Sequence, residues 1–293
     1  MEDEASPVTL PPGLPGGDHE DAHAHDARPP VAVVVATRDR AVLLEGALRA
    51  LQGVLRPVDE LLVVDSASLG AETVDLCASL GVRVLRLEEP GTSLARNAGL
   101  VATGAPLVAF TDDDCLPQPG WTAALAAAFS DPSVGVVTGR VLADREVAAP
   151  VSLEQSTVGG PFTTPRGHGA NCCFRREALL AVGGFDDRLG PGTKGRAAED
   201  VDAFRRVLRA GWVGCYAPDA VVVHRQWRGR GASVRRSYSY GVGQVSAGAT
   251  FRTAVWQDAL RPAARDVRAG YASGAAVGLV RAAGALRALA RRR

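Results

Sequence analysis

Three consecutive aspartates, Asp112, Asp113 and Asp114, directly follow an apolar run at residues 107–110. Carboxylates this close repel one another unless a cation joins them, and a divalent ion such as Mg2+ or Mn2+ meets that need. A position just beyond the carboxyl end of a buried strand is also where open α/β sheets bind ligands. A solvated turn explains the triplet equally well, because Asp favours turns and Pro117 follows closely.

A second acidic pair, Glu199-Asp200, follows a glycine-rich stretch at residues 190–195. A carboxylate at the end of a flexible loop can take the proton from an incoming hydroxyl. We therefore predict Asp200 as a general base and Glu199 as its neighbour on the acceptor side. Acidic residues at the start of a helix are also favoured by the helix dipole, so a purely structural role stays open.

His224 follows the apolar run at residues 221–223 and is placed at a strand end. Imidazole is a common metal ligand, so His224 is a candidate to complete a metal site begun by Asp112 and Asp114. A lone histidine after a strand is more often structural, and that alternative remains.

Four further polar residues are candidates to bind a nucleotide. Asp65 follows a predicted strand, and its carboxylate can accept the imide N–H of a uracil or thymine ring; the alternative is an N-cap for the next helix. Thr37 and Arg40 lie just after the first predicted strand and can bind polar groups nearby. Arg96 has the planar fork that binds a diphosphate, although a surface arginine is the ordinary expectation.

These residues need structural elements that bring them to one place. Apolar periodicity from residue 31 onward alternates short strands with helices, which is typical of βαβ units in a mostly parallel sheet. Because the carboxyl ends of parallel strands meet at one edge, Thr37, Asp65 and the aspartate triplet are expected to share a crevice. Strands are predicted at residues 31–36, 61–64, 82–87, 107–111, 134–138, 171–174 and 220–223, and helices at 41–54, 71–80, 93–101, 121–129, 176–182 and 198–210.

Composition limits the class of protein. The chain has 293 residues, is 46% hydrophobic and carries a net charge of +1, but that charge is unevenly distributed. Residues 225–293 contain fourteen arginines and two aspartates. Such a segment can contact an anionic membrane, nucleic acid or a phosphorylated substrate, or form a solvated helix face. No nucleic-acid-binding motif is recognisable, so we expect no nucleic-acid partner.

Location is predicted from cysteines and hydropathy. The five cysteines show no CxxC spacing, which favours reduced thiols and a cytoplasmic protein. Residues 1–29 are acidic and rich in Pro and Gly, typical of a disordered tail rather than a signal peptide. No apolar stretch near the C-terminus reaches the roughly 20 residues of a membrane span. Residues 275–293 are expected to form a basic helix, either packed on the domain or peripheral at the inner face of the membrane.

Taken in order, these motifs resemble the family 2 glycosyltransferases. The stretches that carry the resemblance lie between residues 31 and 245, and they are VVVATRDR (33–40), LVVDSAS (62–68), GTSLARNAGL (91–100), VAFTDDDCLPQPGW (108–121), GANCCFRREALLAVGGFDDRLG (169–190), AAEDVDAFRRVLRAG (197–211) and VVVHR (221–225). The resemblance implies the GT-A fold, a single Rossmann-like α/β domain with a mixed, mostly parallel sheet flanked by helices. It divides the chain into the tail at 1–29, a domain at 30–245 with a nucleotide-binding half (30–140) and an acceptor half (141–245), and a basic helical segment at 246–293.

The resemblance also implies roles for the residues. Thr37, Arg40, Asp65 and Arg96 are assigned to the nucleotide sugar. Asp112 and Asp114 supply the family's DxD element, which holds Mn2+ or Mg2+ on the diphosphate. Asp113 is expected to touch the ribose or sugar, His224 matches a histidine that joins the metal in some members, and Asp200 matches the catalytic base.

The activity implied is transfer of one sugar, with inversion, from a nucleotide-diphosphate sugar to an acceptor hydroxyl. A UDP-sugar is the favoured donor, and the acceptor is a natural product, a cell-envelope glycan or a lipid. The QxxRW element and the membrane spans of processive synthases are not recognisable. A sugar-1-phosphate nucleotidyltransferase is disfavoured because residues 37–40 contain no glycine. A non-catalytic sugar-nucleotide-binding protein is disfavoured because all the expected carboxylates are present.

Overall fold

The inner strands of the first half of the sheet are apolar on both faces. In a computed structural model of the chain, β1 (Val31–Thr37), β2 (Glu60–Ser66), β3 (Arg83–Leu87) and β4 (Leu107–Asp112) are parallel, in the order β3-β2-β1-β4. Helices cover both faces of such a sheet, which explains the unbroken apolar runs. The connecting helices are α1 (Ala41–Gln52), α2 (Glu72–Ser79) and α3 (Thr92–Ala102).

The structure describes residues 28–144, 156–225, 230–248, 259–260, 263–264 and 272–291. All but the last two residues of the predicted tail at 1–29 therefore lie outside the described residues. So do residues 145–155 of the predicted acceptor half, and a large part of the basic segment at 246–293.

The second half of the sheet changes direction. Strand β8 (Asn171–Arg175) runs antiparallel to β4 and to β6 (Val134–Ala143), and β6 runs parallel to β9 (Val213–His224). Two short strands, β5 (Cys115–Pro117) and β7 (Gly160–Phe162), pair antiparallel with β9. The remaining helices of this half are α4 (Trp121–Ala127), α5 (Arg176–Ala181) and α6 (Glu199–Arg209). The expected α/β fold with a mixed sheet flanked by helices is confirmed.

A hydrophobic core lies on each face of this sheet. Val33 and Val35 of β1 face a core that contains Leu44 and Trp121, whereas Val34 faces the core of Phe110. Phe110, Phe174 and Phe185 meet edge to face in that second core. Both cores lie beneath the strand ends, so the backbone that carries the polar residues at these ends is held by close packing.

Strand β9 begins seven residues earlier than the predicted strand at 220–223. Its register against β6 jumps between Gly139 and Arg140, so a bulge interrupts the ladder where Pro218 lies. Proline is tolerated at a bulge, and its presence hid the first half of the strand from a prediction based on periodicity. The side chain of Asn171 provides hydrogen bonds where the ladder is interrupted, because its amide donates to the carbonyls of Arg140 (2.9 Å) and Ala220 (2.8 Å).

Two C-terminal helices pack against each other at close range. They are α7 (Arg230–Ser246), which was not predicted, and α8 (Ala272–Ala290), which corresponds to the helix expected at 275–293. A Cβ atom at Gly241 would overlap the backbone of Arg281, and one at Gly284 would overlap the Tyr238 carbonyl. Among the described residues, no helix has the length and apolar character needed to cross a membrane.

Candidate active site

The carboxyl ends of β1, β2 and β4 bring the first group of predicted residues together. Thr37 ends β1 and pairs with Asp65 of β2, while Ala36 pairs with Asp112 at the end of β4. The crevice expected from parallel strands therefore forms at this edge of the sheet.

His224 reaches the same edge through the short strand β5. The aspartate triplet turns directly into β5, where Cys115 pairs with His224 of β9, and the Arg225 N–H donates to the Asp114 carbonyl (2.8 Å). As a result, His224 Nε2 lies 3.4 Å from Asp114 Oδ1. Ligand atoms of Asp112, Asp114, Cys115 and His224 all lie within 4.8 Å of one another. We call Asp112, Asp114 and His224 the Asp-His cluster.

Burial excludes the solvated turn as an explanation of the triplet. Asp113 is 2% exposed and Asp114 is 1% exposed. The side chain of Asp112 is 33% exposed, so the cluster has one face toward solvent. Cys115 is buried, and burial together with the carboxylates of Asp112 and Asp114 raises the pKa of its thiol well above the usual range. A thiol that keeps its proton is a poor metal ligand.

Asp113 points into the protein and organises the loop after β1. The Thr37 hydroxyl donates to its Oδ2 (2.6 Å), and Arg40 Nη1 donates to its Oδ1 (2.9 Å). Burial raises the pKa of Asp113 to about 6, although Arg40 and Thr37 both act to lower it. Three residues assigned to the nucleotide sugar thus form one connected group.

Asp65 is buried beneath the loop after β2. Its Oδ1 accepts the Ser68 N–H (3.0 Å), and its Oδ2 lies 3.8 Å from Arg86 Nε. Among the described residues, no hydrogen-bond donor reaches this Oδ2, so it can accept one from a ligand. The alternative role as N-cap is wrong, because Ala71 precedes α2 and no side chain caps that helix.

Arg96 joins the two acidic parts of the site. It is 3% exposed, so it is not the surface arginine of the alternative interpretation. Its guanidinium bonds Glu199 Oε1 and Asp112 Oδ1, both at 3.1 Å, and lies 5.5 Å from the Phe185 ring centroid. Burial works against its charge, but the carboxylates of Asp112 and Glu199 outweigh that effect and raise the pKa of Arg96.

Asp200 is held at the first turn of α6. Its Oδ2 accepts the Gly169 N–H (2.8 Å), and its Oδ1 accepts the Val201 N–H (2.8 Å). A Cβ at Gly169 would lie 3.0 Å from Asp200 Oδ2 and 3.2 Å from Arg96 Nη1, so the carboxylate and the guanidinium flank this glycine. Burial and the nearby Asp200 carboxylate raise the pKa of Glu199, while Arg96 opposes them.

Asp200 also lines a cavity of about 360 Å³. The cavity lies between the loop before β8, the start of α6 and the two C-terminal helices. Its lining includes His168 and Arg166 from the loop, Tyr240 from α7 and Arg281 from α8. The sequence patterns did not indicate that α7 and α8 reach the site.

The sequence patterns also did not indicate several residues that support the site, because the partners of these residues are distant in the chain. Asn97 Oδ1 accepts the Phe185 N–H (2.8 Å) and its amide donates to the Phe185 carbonyl (2.8 Å), which holds the ring beside Arg96. Arg86 donates to the carbonyls of Ser68 (2.6 Å) and Gly70 (3.0 Å) and so supports the loop above Asp65. The proximity of Asn97 to Arg96 in the chain was the one available signal.

Comparison with known proteins identifies relatives of this chain. The family model "Glycosyl transferase family 2" matches residues 32–180, and "Glycosyl transferase family group 2" matches residues 107–282. The chain is 32% identical over 239 residues to pre-mycofactocin glycosyltransferase of Mycobacterium tuberculosis, which covers 72% of this chain and 49% of that protein. It is 25% identical to glycosyltransferase AglE of Haloferax volcanii, over 74% of this chain and 73% of that protein. The chain thus spans about half the length of the mycobacterial relative.

Two solved structures share the fold. The mannosyltransferase PcManGT from Pyrobaculum calidifontis, in complex with GDP-Man and Mn2+, has a TM-score of 0.63 and 22% identity, covering 91% of this chain and 88% of that one. S. aureus TarS 1-349 has a TM-score of 0.56 and 16% identity, covering 75% and 66%. At these identities the two likenesses concern the fold alone.

Proposed function

This chain belongs to glycosyl transferase family 2 and is an enzyme of that family, and from that premise we propose that it transfers one sugar, with inversion, from a nucleotide-diphosphate sugar to an acceptor hydroxyl. The observation that carries the proposal is the connection made by Arg96. Its guanidinium joins Asp112 of the Asp-His cluster to Glu199, the neighbour of Asp200. A donor site and a base are thereby held in one rigid arrangement.

The donor set of the Asp-His cluster fits a divalent ion. Two carboxylates and one imidazole suit Mn2+ or Mg2+, and the partly exposed Asp112 leaves a side open toward a diphosphate. Asp112, Asp114 and His224 would hold the ion, whose positive charge favours departure of the nucleotide diphosphate. The complex of the P. calidifontis mannosyltransferase with GDP-Man and Mn2+ supports this choice of cofactor.

The chain's own residues carry the remaining steps. Arg96 supplies a permanent positive charge near the diphosphate, because two carboxylates keep its guanidinium ionised. Asp200 takes the proton of the acceptor hydroxyl as that oxygen attacks the anomeric carbon from the side opposite the nucleotide, which inverts the configuration. The Gly169 N–H fixes one carboxylate oxygen of Asp200 and so limits its orientation.

The nucleotide is assigned to the loops after β1 and β2. Asp65 Oδ2 is proposed to accept the imide N–H of a uracil ring, which makes a UDP-sugar the favoured donor. Because Asp65 is fully buried, the base reaches it only if side chains above it move. The acceptor is proposed to be a natural product, a cell-envelope glycan or a lipid; the mycobacterial relative is named as a glycosyltransferase of pre-mycofactocin. Peripheral membrane contact through the basic C-terminal segment belongs to the same proposal.

A thermal-shift panel of nucleotide sugars with Mn2+ identifies the donor, since a tight ligand raises the melting temperature measurably. Asp200→Asn is then compared with Asp202→Asn, a matched change on the same helix that affects an ion pair with Arg206. We expect both variants to keep the donor-induced shift, and only Asp200→Asn to lose at least about a hundredfold in transfer rate.

Two results would contradict this scheme. Near-normal turnover by Asp200→Asn would remove Asp200 as the base. A donor-induced shift without transfer in the wild-type protein would instead favour a non-catalytic sugar-nucleotide-binding protein. A melting-temperature shift with GDP-sugars and none with UDP-sugars would contradict the proposed contact between Asp65 and a uracil ring.

A further inference from the structure

Asp39 joins the two loops that are assigned to the nucleotide. These loops follow β1 (residues 38–40) and β2 (residues 67–71). The Asp39 N–H donates to Ser68 Oγ (2.8 Å), and the Leu69 N–H donates to Asp39 Oδ1 (2.7 Å). The two bonds run in opposite directions between residues 29 and 30 positions apart in the chain, so they hold one loop against the other. We call Asp39, Ser68 and Leu69 the loop bridge.

Each loop holds one residue in the left-handed region of the backbone. The φ angle is 54° at Asp39 and 57° at Ala67, and neither residue is a glycine. Aspartate and asparagine enter this region more readily than most residues that carry a Cβ atom. Such a conformation costs free energy and persists only where surrounding contacts hold it. The loop bridge supplies these contacts, because its bonds lie at Asp39 and at the two residues that follow Ala67.

The loop bridge connects the two groups of polar residues around the proposed nucleotide site. The first strand and its loop carry Thr37 and Arg40, which both donate to Asp113. Across the bridge, the Ser68 N–H donates to Asp65 Oδ1 (3.0 Å). The distance between the Asp113 group and Asp65 therefore depends on the bridge.

The Asp39 side chain lies at the surface and not in the core. It is 42% exposed, and its Oδ2 lies 3.4 Å from Nε of Arg38, which is exposed to a similar degree. Exposed hydrogen bonds and ion pairs contribute little to global stability. Variants at Asp39 are therefore expected to fold, although the two loops lose their fixed spacing.

We propose that Asp39 is a positioning residue for the nucleotide: its two bonds set the spacing of the loops after β1 and β2, so that the Asp113 group and Asp65 bind one nucleotide together. This inference rests on the proposed function, in which these loops hold the nucleotide. A site whose parts are already held at the spacing of the bound state loses less freedom on binding. Asp39 acts through geometry, and its negative charge is not required.

Calorimetric titration with UDP and with GDP, each with Mn2+, measures this effect without turnover. We expect Asp39→Ala to bind the preferred nucleotide about tenfold more weakly than the wild type, because it loses the bond from Leu69 and disfavours the left-handed backbone. Asp39→Asn keeps an oxygen acceptor and tolerates the same backbone, so we expect binding within about threefold of the wild type. Asp75→Ala changes an exposed aspartate of α2 and is expected to bind as the wild type does.

Pyrophosphate with Mn2+ distinguishes positioning from a general loss of structure. It has no nucleoside, so it needs only the diphosphate side of the proposed site, where Arg96 and the Asp-His cluster lie. We expect Asp39→Ala to bind pyrophosphate as the wild type does, with the melting temperature of each variant measured alongside. Equal weakening for pyrophosphate and nucleotide would overturn the inference. Equal weakening by Asp39→Asn and Asp39→Ala would also overturn it, since the charge would then be responsible.

Ser68→Ala removes the other bond of the bridge. We expect it to weaken nucleotide binding in the same direction, and the double variant with Asp39→Ala to bind within about twofold of Asp39→Ala alone, because both changes break one connection. Fully additive effects would show that the two residues act independently, which would overturn the inference.

Binding by the wild type separates this inference from the proposed function. If the wild type binds neither UDP nor GDP with Mn2+, the proposed function fails and the inference fails with it. If the wild type binds one of them and a folded Asp39→Ala protein binds it equally well, the inference alone fails.

Discussion

Arg96→Met tests whether one buried cation holds the site together. The substitution keeps an apolar chain against Phe185 but removes the charge that lies between Asp112 and Glu199. Removing one partner of a buried ion pair costs about 3–5 kcal/mol, because the other charge remains buried. The pair with Asp112 contributes less, since a partly exposed carboxylate is screened by water.

The loss of stability should depend on pH. The pKa of Glu199 is already raised in the folded protein, and removal of Arg96 raises it further, because Arg96 is the group that opposes the rise. The folded state therefore binds a proton that the unfolded state has released, and stability falls as pH rises through the folded pKa. Near pH 5.5 Glu199 is protonated and little buried charge remains. Because the pKa of Glu199 in the wild type is about 7, its ionisation can add at most about 1.4 kcal/mol to the loss by pH 8, so we expect a loss of about 2 kcal/mol at pH 5.5 and about 3 kcal/mol at pH 8.

Urea unfolding in EDTA, followed by tryptophan fluorescence, measures both values, since Trp121 is fully buried. Arg49→Met serves as the control: this exposed arginine pairs with Glu45 on α1, and such pairs contribute at most about 0.5 kcal/mol. A loss below about 1 kcal/mol at pH 8 would refute the reasoning on buried charge. An equal loss at both pH values would refute the assignment of that charge to Glu199.

Three other predictions concern different parts of the molecule. EDTA should abolish transfer and Mn2+ or Mg2+ should restore it in a donor assay; full activity in EDTA would rule out the metal role of the Asp-His cluster. Asn171→Leu should lower the free energy of unfolding by about 3 kcal/mol or more, because the Trp121 indole N–H (2.9 Å to Asn171 Oδ1) and two carbonyls lose their partner; a loss below about 1 kcal/mol in urea unfolding would contradict this. Burial acts to raise the pKa of Asp59, but hydrogen bonds from Arg56 outweigh that effect and lower it. Asp59→Asn should therefore reduce the free energy of unfolding by about 2 kcal/mol at pH 7, and this reduction should shrink as pH falls below 3.8. A reduction that stays constant down to pH 3 in urea unfolding would contradict this linkage.

Local patterns were sufficient where strands and helices alternate regularly. The run of valines in β1 and the helical spacing in α1 predicted both elements to within a few residues, because burial imposes the period of each element on its side chains. The shared sheet edge followed from the parallel order alone. Periodicity failed at β5, which is too short to show a pattern, and at the bulge of β9.

The site residues were predicted by type, but their contacts were not. A triplet of aspartates after a strand fits both a turn and a metal site, and burial decided against the solvated turn. Arg96 was predicted to contact the diphosphate, yet its partner Glu199 lies 103 residues away in the chain. No local pattern can indicate such a pair, because the contact exists only once α3 and α6 are packed.

The amino-acid order of this protein therefore accounts for its family, for the succession of its elements and for the residue types at its strand ends. These depend on short-range periodicity and on motifs a few residues long. The proximity of His224 to Asp114 depends instead on the pairing of β5 with β9, and the presence of Arg281 beside Asp200 depends on close glycine contacts in the α7-α8 pair. Such contacts join segments tens to hundreds of residues apart, and folding alone brings them within bonding distance.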